Sequence, residues 1–195
     1  MSTMSRDERI SRDFRDIIRT FEEKSRTPLS VVVCGPGRPD QPDPTHPFHL
    51  REAIKNHLTC TMRDNAFYLE DLLTSEVIQG LQDEIEQRTS YRPDLKELEY
   101  QVLESERADK DVHLLENPGA ILELRDFEDS PIICQKLKIF VDSCHKNDSS
   151  YIRSTLLKRV TEKGAKVIWY DDRDDLIRKV EKALIPNRIK KSFSH

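Results

Sequence analysis

The chain has 195 residues, 35% of them charged and 36% hydrophobic, with a formal net charge of -4. That length sets one domain with its own core, and a hydrophobic share gathered in regular clusters excludes a wholly disordered chain. The small acidic balance gives no overall pull toward nucleic acid or a membrane surface, and no apolar run approaches the roughly 18–20 residues that span a bilayer.

Residues 5–25 place Ile10, Phe14, Ile17, Ile18 and Phe21 at helical spacing, so the N-terminal segment 1–28 is expected to be an amphipathic helix ahead of the main fold. It either docks on its own domain or serves as a partner-binding arm. Residues 29–34 (LSVVVC) form a continuous β-branched run that suits a central parallel strand. Gly35-Pro36-Gly37 ends it, and residues 38–47, with four prolines and no apolar side chain, form a long surface loop. The GPG stretch lacks both the Walker and the Rossmann spacing, so by itself it marks only a tight turn. A helix over residues 47–58 buries Leu50, Ile54 and Leu58 and carries Arg51 near its start.

Residues 66–69 are a second short strand, followed by Glu70, Asp71 and a helix to about residue 87. Asp94 caps the next helix, which runs to about residue 107 and carries Glu99. Residues 111–115 are a third strand, ending at Glu116 and an Asn117-Pro118-Gly119 turn. The helix after that turn presents Glu123 in its opening turns, where the helix dipole favours an ionised carboxylate unless apolar burial opposes it. Residues 137–141 and 166–170 are two more strands, separated by a helix over 150–163 that Gly164 caps. A last helix covers about residues 173–184, and residues 186–195 are read as a mobile basic tail.

Five strands alternating with helices predict an α/β fold, a doubly wound parallel sheet of flavodoxin-like order 2-1-3-4-5, spanning residues 29–185. In that order the switch point lies between strands 1 and 3, so CGPG and ENPGAILE meet at one crevice. Cys34, Cys60, Cys134 and Cys144 show neither a CxxC pair nor zinc spacing, and the N-terminus is charged, which predicts a reduced, cytoplasmic protein without disulfides. Cys34 reads as a small core residue and His113 as structural. His46 and His49 lack the metal-binding helical pairing, and no metal is expected.

ENPGAILELRDF resembles the small-x-Gly-x-x-x-Glu-Leu motif of nucleoside 2-deoxyribosyltransferase-like proteins, especially the effectors of bacterial retron anti-phage systems. CG-x-G after the first strand, LREAIKNHL, FYLEDLL, Leu98-Glu99, KLKIFVD and SYIRSTLLKRV occur in the order that family uses, so the resemblance covers about residues 29–170. It implies a flavodoxin-like fold and a glutamate nucleophile at Glu123 that breaks the N-glycosidic bond of a nucleotide, nucleoside or NAD, the last as substrate and not as cofactor. Amides of Gly35, Gly37 and Gly119 then hold ribose or phosphate oxygens, Arg51 a phosphate, and Glu70, Asp71 or Glu99 the ribose hydroxyls or the base. Glu116 and Asn117 complete this candidate substrate site. The family usually has glycine two positions after the glutamate, where this chain has Arg125. Such effectors often carry a further C-terminal DNA-binding domain, and none is expected within these 195 residues.

Three classes stay open on the sequence: a glycosidase or deoxyribosyltransferase acting as a defence toxin; a nucleotide-binding sensor without turnover, with Arg125 as a mark of decay; and an adaptor. In the last, the N-terminal helix and basic tail contact a reverse transcriptase or its DNA/RNA product. A homo-oligomer is compatible with all three.

Overall fold

A computed structural model of the chain describes residues 27–41, 43–105, 108–146 and 152–192. The helix expected over residues 5–25 lies outside them. Five strands, β1 (Ser30–Cys34), β2 (Asn65–Tyr68), β3 (Lys110–Leu114), β4 (Leu137–Asp142) and β5 (Lys166–Tyr170), form one parallel sheet in the order β2-β1-β3-β4-β5. This is the expected order. β1 sits beside both β2 and β3, pairing Val33 with Tyr68 and Cys34 with His113.

The continuous apolar run of β1 is used on both faces. Val31 and Val33 join Ile54 and Leu58 on one side, with Leu176, Val180 and Leu184. Val32 and Cys34 join Leu98, Leu103, Phe127 and Ile133 on the other. Side chains alternate across a strand, so a strand covered on both faces needs no polar position. Each such Leu or Ile contributes roughly 1.5–3 kcal/mol through burial.

The first face carries α1 (Phe48–Asn56), prolonged by a π-helical turn over His57–Thr61, and the last helix. The opposite face carries α2 (Leu69–Leu72), α3 (Ser75–Thr89), α4 (Leu95–Glu104), α5 (Pro118–Phe127), α6 (Pro131–Lys136) and α7 (Lys158–Glu162). The helix expected from residue 70 to 87 is in fact two pieces. The Thr74 hydroxyl accepts from the Val77 amide and starts α3 afresh. Asp94 caps α4 as expected, in a capping box with Glu97. Helix α6 was not anticipated; Ser130 caps it through the Ile133 amide, with Pro131 in its first turn.

The largest departure is at the other end of the chain. α8 (Arg173–Ser192) continues through Pro186 instead of stopping near residue 184, so the basic tail reading is corrected as far as Ser192. Arg188 is wholly buried and forks onto the carboxylate of Asp64, which also accepts from the Leu29 amide at 2.9 Å. Lys191 reaches Asp109 at 2.6 Å, and Asp109 accepts from the Ser30 amide at 2.7 Å. These contacts hold the C-terminal turns of α8 against the start of β1. No helix among the described residues is long and apolar enough to cross a membrane.

Candidate active site

The C-terminal ends of β1 and β3 frame a crevice of about 400 Å³ lined by Gly35, Gly37, Arg38, Arg51, Glu70, Asn117, Gly119, Ala120 and Glu123. Gly35 makes the close approach that opens it. Its φ is +127°, and a Cβ there would lie 2.6 Å from the Leu114 carbonyl oxygen, so only glycine fits. On the β3 side the Asn117 side chain accepts from the Ala120 amide at 2.8 Å and Pro118 occupies the first turn, which starts α5 abruptly. Glu123 then projects from the second turn of α5 back to β1, where its Oε2 accepts from the Gly35 amide at 3.2 Å.

Burial dominates the state of that carboxyl. It pushes the Glu123 pKa up to about 7, with Glu99 and Glu70 pushing the same way and Arg51 and the Gly35 amide opposing. The helix dipole therefore does not keep this group in the ordinary carboxylate range, and apolar surroundings win.

Arg51 takes a different part from the one expected. It is 2% exposed, and its guanidinium reaches the carbonyl oxygens of Val33, Gly35 and Pro36 and both oxygens of Glu70, at 2.8 and 2.7 Å. Its donors are committed to holding the β1 turn and Glu70, which leaves none to grip a phosphate. Arg38 is the cation at the mouth of the crevice. It lies over the rings of Phe48 and Tyr68 at 5.8 and 5.5 Å and contacts Asp71 at 3.4 Å, with its side chain 60% exposed.

The structure thus brings Gly35, Gly37, Arg51, Glu70, Asn117, Gly119 and Glu123 together and leaves three expected residues outside the lining. Asp71 is an exposed partner of Arg38 and Lys55. Glu99 is half-buried on α4, where burial raises its carboxyl pKa. Glu116 turns toward β5 and accepts from the Tyr170 hydroxyl. Arg125, the departure from the family pattern, stands on the exposed face of α5 outside the crevice.

Two residues gain weight that the sequence reading did not give them. Arg38 follows directly on the Gly-Pro-Gly turn, and a cation there was the available signal. His113 pairs in register with Cys34 and so projects to the same side of the sheet as Glu123. Cys34, His113 and Glu123 form the one cluster of potential metal ligands among the described residues, their ligand atoms within 4.8 Å of one another. Burial, with the Glu123 and Asp111 charges adding to it, holds the Cys34 thiol protonated.

A larger cavity of about 1260 Å³ opens at the N-terminal ends of the strands, among Val32, Phe67, Val77, Leu81, Leu98 and Val102. Its walls are mainly apolar, and it lies away from the strand ends that take ligands in such sheets. The chemistry-bearing groups converge on the smaller crevice instead.

The fold is a doubly wound α/β sheet with a partly buried carboxyl group at its switch point, the place where sheets of this kind take ligands. Residues 47–195 match the STM3845 retron effector protein family, and the chain belongs to it. No curated protein matches the chain.

Proposed function

We propose that the protein is an N-glycosidase or deoxyribosyltransferase-like enzyme that breaks the N-glycosidic bond of a nucleotide, nucleoside or NAD through Glu123, as the toxic effector of a retron anti-phage system. The observation that carries this is the Glu123 carboxyl, oriented by the Gly35 amide inside a crevice of nucleoside-compatible size. Breaking such a bond builds an oxocarbenium-like cation at the anomeric carbon, which a fixed carboxylate stabilises or traps covalently. The Glu70 charge is already neutralised by Arg51, so Glu123 is the carboxylate left to meet that cation. Arg38 supplies charge for a phosphate at the mouth, and the exposed amides of Gly37 and Gly119 offer donors to ribose or phosphate oxygens. Family membership supports the defence setting; a cytoplasmic location, with a reverse transcriptase and its DNA/RNA product as controlling partners, is part of the same proposal.

The test is chromatographic detection of free base or nicotinamide after incubating the protein, and separately Glu123→Gln, with NAD and a panel of nucleosides and nucleotides. Release by the wild type that disappears in the variant supports the reading. Ligand binding without release would instead make the protein a nucleotide sensor, and neither would point to an adaptor.

A further inference from the structure

The chemistry of Glu123 depends on where its proton sits. Nε2 of His113 lies 2.8 Å from the Ala120 carbonyl oxygen, an atom that only accepts, so Nε2 carries a hydrogen. In a neutral imidazole the other nitrogen is then a bare lone pair. Burial keeps this ring neutral, pushing its pKa down to about 4. Nδ1 is buried, has no hydrogen-bond partner, and faces Oε2 of Glu123 at 3.8 Å. An ionised carboxylate there would set two acceptors against each other with no donor between them. A hydrogen on the carboxyl group resolves this.

Building on the glycosidase reading, we propose that His113 is a positioning residue that stores the proton of Glu123: at rest the carboxyl O–H is donated to Nδ1, and Glu123 becomes nucleophilic when that proton crosses to the ring. In the transfer an O–H bond breaks, its electron pair stays on the carboxylate, and an N–H bond forms on Nδ1. The product is an imidazolium–carboxylate pair, and no other reactant takes part. A swing of the Glu123 side chain by ~1 Å brings the two atoms to hydrogen-bond length.

The other groups around Glu123 favour this arrangement. From β1 and its turn come the Cys34 thiol, a weak donor, and the Gly35 amide, which already serves Oε2. From α1 comes Arg51, committed to Glu70 of α2, and from α4 comes Glu99; both carboxylates oppose a second anion. A substrate that develops positive charge at the sugar, or carries it on the leaving base, reverses that balance. Ionisation of Glu123 is thereby tied to occupancy of the crevice by a cationic glycosyl donor.

The test is nitrogen NMR of the full chain labelled with ¹⁵N in its histidine rings, with His113 assigned through His113→Asn. The expected result is an Nε2–H tautomer throughout the neutral range, with an Nδ1 resonance that titrates near pH 7, as Glu123 does. That titration should vanish in Glu123→Gln and persist in Cys34→Ala. An Nδ1–H tautomer, an Nδ1 signal indifferent to Glu123→Gln, or a titration that needs added zinc and disappears with EDTA would each overturn the proposal. None of these readouts requires turnover, so absence of base release sinks the glycosidase reading alone. If base is released, His113→Leu, which offers no acceptor, should move the acid limb of kcat/KM to lower pH by roughly half a unit or more, because the acid form of Glu123 loses its acceptor. An equal loss at every pH would assign His113 to packing only and overturn the idea. Should His113→Asn fail to fold, the wild-type and Glu123→Gln spectra, with ring assignments taken through the backbone, decide the matter.

Discussion

Replacing Glu123 by Gln should end the proposed chemistry and at the same time make the protein more stable above neutral pH. In an unfolded chain this carboxyl releases its proton near 4.5, whereas burial in the folded protein delays release to about 7. Between those values the folded state binds a proton that the unfolded state has lost, so the contribution of Glu123 to stability falls as pH rises. Above about 7 the full penalty is present. At ~1.4 kcal/mol per pH unit it reaches ~3 kcal/mol, and relaxation of the partly exposed side chain brings the expected gain to ~1–3 kcal/mol. A glutamine has the same shape, and at the Oε2 position, which both neighbours face, it sets either an oxygen that accepts from the Gly35 amide or an NH₂ that donates to Nδ1 of His113. For a chain of this size the gain corresponds to a Tm rise of roughly 3–10 °C at pH 8, shrinking toward zero near pH 4.5. Urea unfolding of both proteins at the two pH values measures it. Asp111, buried without a hydrogen-bond partner and pushed up to about 7 by that burial, gives the wild type a slope of the same sign. The quantity to compare is therefore the difference between variant and wild type. A variant no more stable than wild type at pH 8, or a difference that does not grow with pH, would refute the reasoning.

Other consequences can be measured in parallel. Gly35→Ala should cost at least ~2 kcal/mol in denaturant unfolding, since a Cβ would lie 2.6 Å from a backbone oxygen at a φ of +127°. Gly37→Ala has open space around its Cβ and should stay within ~0.5 kcal/mol; equal costs at the two positions would contradict this account. Arg188→Met strands Asp64 in the interior and should destabilise by ~3–5 kcal/mol, and a loss under ~1 kcal/mol would show that the ion pair is not holding α8. Arg38→Ala should raise KM for a phosphorylated substrate roughly three- to tenfold, leaving kcat and the unphosphorylated nucleoside little changed; a kcat effect without a KM effect would place Arg38 elsewhere in the mechanism.

The sheet was legible because its strands announce themselves locally: LSVVVC and LKIFV are apolar but for Ser30 and Lys138, near what strands covered on both faces require. Both segments of the crevice were legible for a related reason, since Gly35 and the Asn117-Pro118-Gly119 turn mark where the backbone must break. What stayed hidden depends on contacts between distant residues. Pro186 argues for a stop, and nothing near it in sequence reveals that Arg188 will meet Asp64, 124 positions away. Arg51 looked like a phosphate ligand because its neighbours in the chain do not disclose the three carbonyl oxygens and the Glu70 carboxylate that absorb it. His113 seemed ordinary because its importance lies in the tautomer that the Ala120 carbonyl imposes, a fact of geometry alone.

β1 is pinned at both ends. Ser30 and Leu29 are tied through Asp109 and Asp64 to the last turns of α8, while Gly35 is wedged against Leu114 at the far end. The ladders to β2 and β3 fix the register of this strand. Any shift along its axis would in addition break the two ion pairs at its start. The strand therefore acts as a fixed ruler, and its ladders and the anchors at its start together set the position of the Gly35 amide under Glu123. Loosening α8 should consequently blur the crevice without touching any residue that lines it.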